Sequence, residues 1–170
     1  GINPDYCQVL EFGAVIEDWK TPVNELPNFR ALLDPRKIDD VITGEPFGLQ
    51  MNAHLLLELE DGGIHPGKLH SLFNEWLKEH GITEFNPAGK NFDAFDRQFL
   101  KRLPGWNRVR MSHRTIDPGI LYWDPLRDEG IPNTKLCCKR AGIDSTVTHH
   151  AVDDARQVIK LIRAHYGGTR

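Results

Sequence analysis

Three residues in this chain have types and neighbours that could do chemistry together. His149 precedes Asp154 in the run His149-His150-Ala151-Val152-Asp153-Asp154-Ala155, and Asp96 follows Asn91-Phe92-Asp93-Ala94-Phe95. Carboxylates hold divalent cations, and a histidine titrates near neutrality and can take a proton from an attacking water. Two aspartates and a histidine therefore suit metal-assisted hydrolysis of a phosphodiester. Each residue also has a plainer reading. Asp153 and Asp154, like Asp93 and Asp96, fall where helices are expected to start, and acids there complement the helix dipole. His149 lies just before a helix and would then be a surface or capping residue.

The elements that must carry these residues can be read from periodicity and breakers. Residues 8–16 (Gln-Val-Leu-Glu-Phe-Gly-Ala-Val-Ile) are rich in β-branched and aromatic types and predict a mostly buried strand that stops at Glu17-Asp18. Phe29 to Leu33 predicts a second strand, closed by Asp34-Pro35, with Pro22 and Pro27 in the connection between the two. Helices are expected over Leu49–Leu59 and Pro66–His80, where Leu69, Leu72, Phe73, Trp76 and Leu77 recur at helical spacing before the stop at Gly81. A further helix should contain Phe95, Phe99, Leu100 and Leu103 and end at Pro104-Gly105. Asn133-Thr134 should cap a short helix ending before Gly142. The last helix should run over Ala151–His165, with Val152, Ala155, Val158, Ile159 and Ile162 as its buried stripe. Strands followed by helices mixed with shorter strands indicate an α/β class.

Composition sets the outer bounds. A chain of 170 residues is read as one domain large enough to bury a core. A net charge of −3 carries no global signature of nucleic-acid binding, so any such surface must be local. No apolar run is long enough to span a bilayer, and no membrane partner is expected. The cysteines, Cys7, Cys137 and Cys138, are odd in number and two are adjacent, which argues against a disulfide framework and for a cytoplasmic location. Adjacent cysteines also lack the spacing of a zinc site with His149-His150.

Taken together, three blocks resemble the DEDDh family of 3′-5′ exonucleases, the proofreading type. Val9-Leu10-Glu11-Phe12-Gly13-Ala14-Val15 resembles the strand that follows that family's first acidic motif. Gly89-Lys90-Asn91 with Phe95-Asp96 and Phe99-Leu100 resembles the second motif. His149, Ala151, Asp154 and Ala155 resemble the third, H-x-A-x-x-D-A. The blocks occur in the family's order across nearly the whole chain. The resemblance implies an RNase H-like fold, a mixed sheet flanked by helices, and a two-metal mechanism using Mg²⁺ or Mn²⁺. It implies Asp154 as a direct metal ligand, Asp96 as a ligand of the second ion through water, and His149 as general base. The implied product is a nucleoside 5′-monophosphate from the 3′ end of single-stranded DNA, with short RNA close behind.

One departure accompanies the resemblance. The family's first motif, D-x-E, finds no match here, since Glu11 belongs to the following strand and Glu17 and Asp18 end it. The expectation is an exonuclease domain over residues 1–170 that is incomplete at its N-terminus and lacks its central first strand. The alternative is a non-catalytic nucleic-acid-binding or polymerase-associated module with an exonuclease-like fold. For the terminal nucleotide, Phe47 could stack on a base and Met51 pack against it, with Asn52 and Asn91 beside them. Met51 could equally belong to the apolar face of its helix. Arg97, Lys101, Arg102, Arg108, Arg110 and Arg114, interrupted by Trp106, could follow a phosphate backbone or form a solvated face.

Overall fold

The computed structural model describes residues 3–145 and 150–167. Its two strands, β1 (Glu11–Val15) and β2 (Asn28–Leu32), pair antiparallel with Gly13 opposite Arg30. Alternation sends Phe12, Ala14, Phe29 and Ala31 to one face and Glu11, Gly13, Arg30 and Leu32 to the other. Eight helices follow among the described residues. They are α1 (Arg36–Asp39), α2 (Pro46–Met51), α3 (Ala53–Glu58), α4 (Leu69–Glu79), α5 (Asp96–Leu100), α6 (Pro118–Leu121), α7 (Thr134–Ala141) and α8 (Ala151–His165). The class is thus mixed α/β. The regular sheet is smaller than the sequence leads one to expect, with two strands and isolated parallel bridges at Leu33–Ile64, Phe85–Met111 and Ala88–Ile116.

The two faces of the sheet are covered differently. On the first, α4 inserts Leu69, Phe73 and Leu77, all buried, and Phe12 packs edge-on against Phe29, Phe73 and Trp106. Such aromatic pairs add to the area they bury. The expected 66–80 helix begins instead as a single tight turn, Pro66–Lys68, because Pro66 and Gly67 suit a helix start better than its interior. Gly81 follows α4 in a left-handed conformation, as its place after the last apolar residue predicts. Similarly, Asn133 Oδ1 accepts from the Leu136 N–H at the start of α7, and Gly142 closes that helix at φ 64°.

On the second face lies α8, with the predicted bounds. Val152, Ile159 and Ile162 of the expected stripe are buried, but so are Leu161 and Arg163. The helix sits unusually close to β1 at Gly13, where a Cβ would fall 2.5 Å from the Ala151 carbonyl carbon and 2.6 Å from the Val152 nitrogen. Both ends of the contact are fastened by charge. At the N-terminus, Glu11 Oε2 accepts from the Ala151 N–H at 2.7 Å, taking the cap that His150 does not supply with its side chain. Towards the C-terminus, the fully buried Arg163 donates to both carboxylate oxygens of Glu17 and to the Thr21 carbonyl, and Glu17, with the nearby Asp18, raises its pKa above the usual arginine value.

The region between β2 and α4 departs from expectation. Residues 49–59 form α2 and α3 rather than one helix, with a break at Asn52 (φ −102°, ψ 21°) whose Nδ2 donates back to the Gly48 carbonyl. This side-chain bond competes with the helix ladder, as asparagines do. The helix expected around Phe95–Leu103 is also short, covering Asp96–Leu100, and Phe95 remains exposed. Among the described residues no helix is long and apolar enough to cross a membrane.

Gly13→Ala should destabilise the protein by about 1–3 kcal/mol, because the added methyl meets backbone rather than a side chain that can swing away. Chemical denaturation reads the change directly; an unchanged midpoint would mean that α8 does not lie this close to β1.

Candidate functional site

A cleft of about 580 Å³ opens between β1, α8, α5 and the break between α2 and α3. One wall is the strand run Gln8–Gly13. The opposite wall is Ala88–Lys90 with Phe92, Phe95 and Phe99, and α8 contributes Ala151, Asp154, Ala155, Gln157 and Val158. Two of the three predicted catalytic positions line it. Asp96 is the first residue of α5 and Asp154 lies in the first turn of α8, so two helix starts deliver carboxylates to one space. His149 falls outside the described residues, as do 146–148.

The two aspartates are near enough to influence each other. Although Asp96 as a whole is exposed, its carboxyl loses water to the surrounding cleft, and the charge of Asp154 adds repulsion; together they push its pKa up to about 6. Two carboxylates with this coupling make a hard-oxygen donor pair. Magnesium commonly takes one or two protein carboxylates and fills its octahedron with water and phosphate oxygens, so the pair fits Mg²⁺ or Mn²⁺. Among the described residues no group of three or more His, Cys, Asp and Glu side chains is arranged to hold a metal.

Other acids near the cleft are already committed. Glu11 lines it, but its side chain is 4% exposed and binds both the Ala151 N–H and Arg30 Nε at 2.5 Å. Arg30 continues to Glu58 at 2.7 Å, and this bond holds the Glu58 carboxyl below its usual range. Beside Glu58, the rings of His54 and His150 meet edge-to-face at 4.8 Å. A lone acid in an otherwise apolar strand is the signal that could have drawn attention to Glu11, since a buried charge requires a partner.

The predicted nucleotide-contacting residues divide. Asn52 lines the cleft beside Gly48, Leu49 and Leu55. Phe47 and Met51 are exposed, 73% and 38%, and are not part of the lining. Asn91 takes a left-handed conformation (φ 58°), and its N–H donates to Asp117 Oδ2, so its backbone serves a loop contact. Its neighbour Lys90, which does line the cleft, reaches Asp117 at 3.5 Å and Asn91 Oδ1 at 3.2 Å. In the basic series, Arg97 pairs with Asp93, Arg102 with Asp5 and Arg110 with Glu84. Cys137 and Cys138 are buried against Leu161, and burial pushes both thiols above their usual range.

Among the described residues, Glu11 and Gly13 on one wall of the cleft and Ala88 on the other have no backbone partner. The bonds Leu33 N to Leu10 O and Ile16 N to Pro27 O set the alternation of the β1–β2 ladder. By that alternation Glu11, Gly13 and Val15 turn their backbone groups away from β2, towards the cleft side. Across the cleft, Gly89 N and Pro87 O bond to Ile116, which leaves the intervening Ala88 turning its own N–H and C=O the other way. Compared with known proteins, the chain matches no family model, and no curated protein is significantly similar to it.

The raised Asp96 pKa has a measurable consequence. The unfolded carboxyl ionises near pH 4, about two units lower. Between about pH 4 and 6 the folded state therefore holds the extra proton, and stability falls as pH rises through that window. Asp96→Asn should raise the melting temperature at pH 7.5 and leave it unchanged at pH 4. A difference that does not vary with pH would rule out the raised Asp96 pKa.

Proposed function

We propose that this chain is the body of a metal-dependent 3′-5′ exonuclease with an RNase H-like fold, acting on single-stranded DNA or short RNA. The observation that carries the reading is the meeting of Asp96 and Asp154 in one cleft, from two well-separated segments of the sequence and each at a helix start. An acid at a helix start is common and means little alone. Asp96 is harder to explain as structure, because loss of water in the cleft and, after it, the charge of Asp154 both oppose its ionisation.

The unpaired walls support the proposed fold. An extended segment lying between β1 and Ala88 could bond to both edges and turn the two-stranded sheet into a larger mixed one. Such a segment would pass the Asp96–Asp154 pair, and a D-x-E pattern on it would add two carboxylates from one strand face. In this reading the cleft is where a central strand belongs, and the open end beside Asn52 receives the terminal nucleotide.

Asp96 and Asp154, with the added acids, would hold two Mg²⁺ or Mn²⁺ ions, which stabilise charge on the attacking and leaving oxygens. The chain's own residues do the rest. His149 takes the proton from the water as its oxygen bonds to the terminal phosphorus. The bond from phosphorus to the preceding O3′ breaks, that oxygen takes a proton from solvent water, and a nucleoside 5′-monophosphate is released. Glu11 holds the start of α8 against β1 and thereby sets where Asp154 stands. Gly48 and Asn52 offer a close approach of backbone and amide to the nucleotide.

A 3′-labelled single-stranded oligonucleotide with Mn²⁺ tests this, using the chain alone and the chain preceded by a strand-forming segment that carries D-x-E. The second form should release labelled mononucleotide. Asp154→Asn and Asp96→Asn should abolish release and the Mn²⁺-dependent rise in melting temperature. His149→Ala should keep that thermal shift but slow turnover by roughly 10²–10⁴-fold, the usual worth of a general base. Intact label in a folded protein that nonetheless retains the oligonucleotide would leave a non-catalytic binding module instead.

A further inference from the structure

The outer edge of β2 is open along a second groove of about 610 Å³, remote from the two aspartates. Its floor and walls come from the β2 backbone at Phe29–Leu32, the Gly62–Ile64 turn, and Leu72, Glu75, Trp76 and Glu79 of α4. By the ladder alternation, Asn28, Arg30 and Leu32 direct their backbone groups outward, away from β1. The Leu32 carbonyl is taken by Ile64 N at 2.8 Å. Among the described residues the Arg30 N–H and C=O and the Leu32 N–H have no backbone partner. An unprotected edge beside an apolar surface is a template for a further strand.

The chemistry of the rim selects the occupant. Glu75 and Glu79 stand one helical turn apart on the exposed face of α4, and among the described residues neither forms an ion pair. Like charges at this spacing repel on an isolated helix, and a cation placed between them removes that cost. Trp76 lies between them in sequence and lines the groove, its ring packed against Phe29, Phe73 and His80, so that it gives the groove a fixed apolar side. A second copy of the chain is the poorer fit, since two-fold pairing of β2 with β2 would bring both acidic rims to the same seam.

We infer that the β2 edge binds an extended peptide segment by strand addition, with lysine or arginine side chains at alternate positions facing Glu75 and Glu79. Main-chain bonds to Arg30 and Leu32 hold the segment, and its intervening apolar side chains lie on the Leu32 face of the sheet. This interaction is independent of the nuclease reading. It uses neither Asp96, Asp154 nor the cleft between β1 and Ala88.

The test uses a short peptide of alternating lysine and valine and its counterpart with glutamate for lysine. The lysine peptide should bind saturably, change the fluorescence of Trp76, and slow hydrogen exchange at the Arg30 and Leu32 amides. The glutamate peptide should not. Glu75→Gln with Glu79→Gln should weaken binding by roughly three- to tenfold, as expected for two exposed ion pairs, with the fold intact. Asn28→Pro, which removes an outward N–H and leaves the bonds to β1, should weaken it further. Equal binding of the two peptides, or binding without protection of Arg30 and Leu32, would overturn the proposal. Protection that grows with protein concentration in the absence of peptide would overturn it in favour of self-pairing.

Discussion

Gly13 has no side chain, and α8 occupies the space that one would need. The consequences spread along the helix. Because Ala151 and Val152 press on β1, the first turn of α8 can be fixed by a carboxylate from that strand, Glu11, rather than by a local cap. Because the first turn is fixed, Asp154 projects into the cleft beside β1 and within reach of Asp96. The far end of the helix is held in the same way, by the fully buried Arg163 against Glu17 just beyond the strand. A buried ion pair of this kind is a weak source of net stability, since desolvation offsets its attraction. Its value is geometric: with Glu11 it fixes both the height and the register of α8 over the strand.

The acids of this region fall into two groups by environment. Glu11 and Glu58 share Arg30, and Glu17 faces Arg163, so each has a cation that offsets its loss of water. Asp96 instead loses water to the cleft and feels the charge of Asp154, and both oppose its ionisation. The stabilised acids build a frame, and the cost falls on Asp96, which that frame holds beside Asp154. On the proposed reading that cost is the preparation of a cation site, because bound divalent metal reverses the sign of the local field.

Much of this frame could be read from the sequence where local rules act alone. The bounds of α8, the Asn133 cap and Gly142 stop of α7, and Gly81 after α4 follow from periodicity and termination chemistry. The same applies to β1 and β2, whose pattern alternates between breakers. Features that depend on distant partners were not legible. Nothing near Arg163 in sequence distinguishes it from a cation placed at a helix end by the dipole, and only the fold brings Glu17 to it. Asn52 splits residues 49–59 because its amide finds the Gly48 carbonyl, a choice between two conformations of similar propensity. For the site, Asp96 and Asp154 were recognised as types in context, but their mutual influence is a tertiary fact. Phe47 and Met51 were placed by neighbourhood along the chain, and the turn at Asn52 separates them from the cleft that Asn52 itself lines.

Among the described residues the sheet has two strands whose outer edges are largely unpaired, and an isolated pair of strands is marginally stable in water. Here both faces are covered, by the Phe12–Phe73–Trp106 cluster below and by α8 above. Face packing therefore holds the ladder, and the edges are left to differ. The β1 edge opens into an enclosed cleft with another unpaired backbone opposite, so a strand entering there would be bonded on both sides and roofed by α8. The β2 edge opens outward beside Glu75 and Glu79, where a strand would be bonded on one side and wetted on the other. Pairing on both sides and burial favour permanent incorporation, whereas a single wet edge with exposed charges favours reversible exchange. On the proposed reading the same two strands present one edge suited to a further buried strand and one suited to meeting a partner. The seating of α8 over Gly13 is what makes the first of them a cleft.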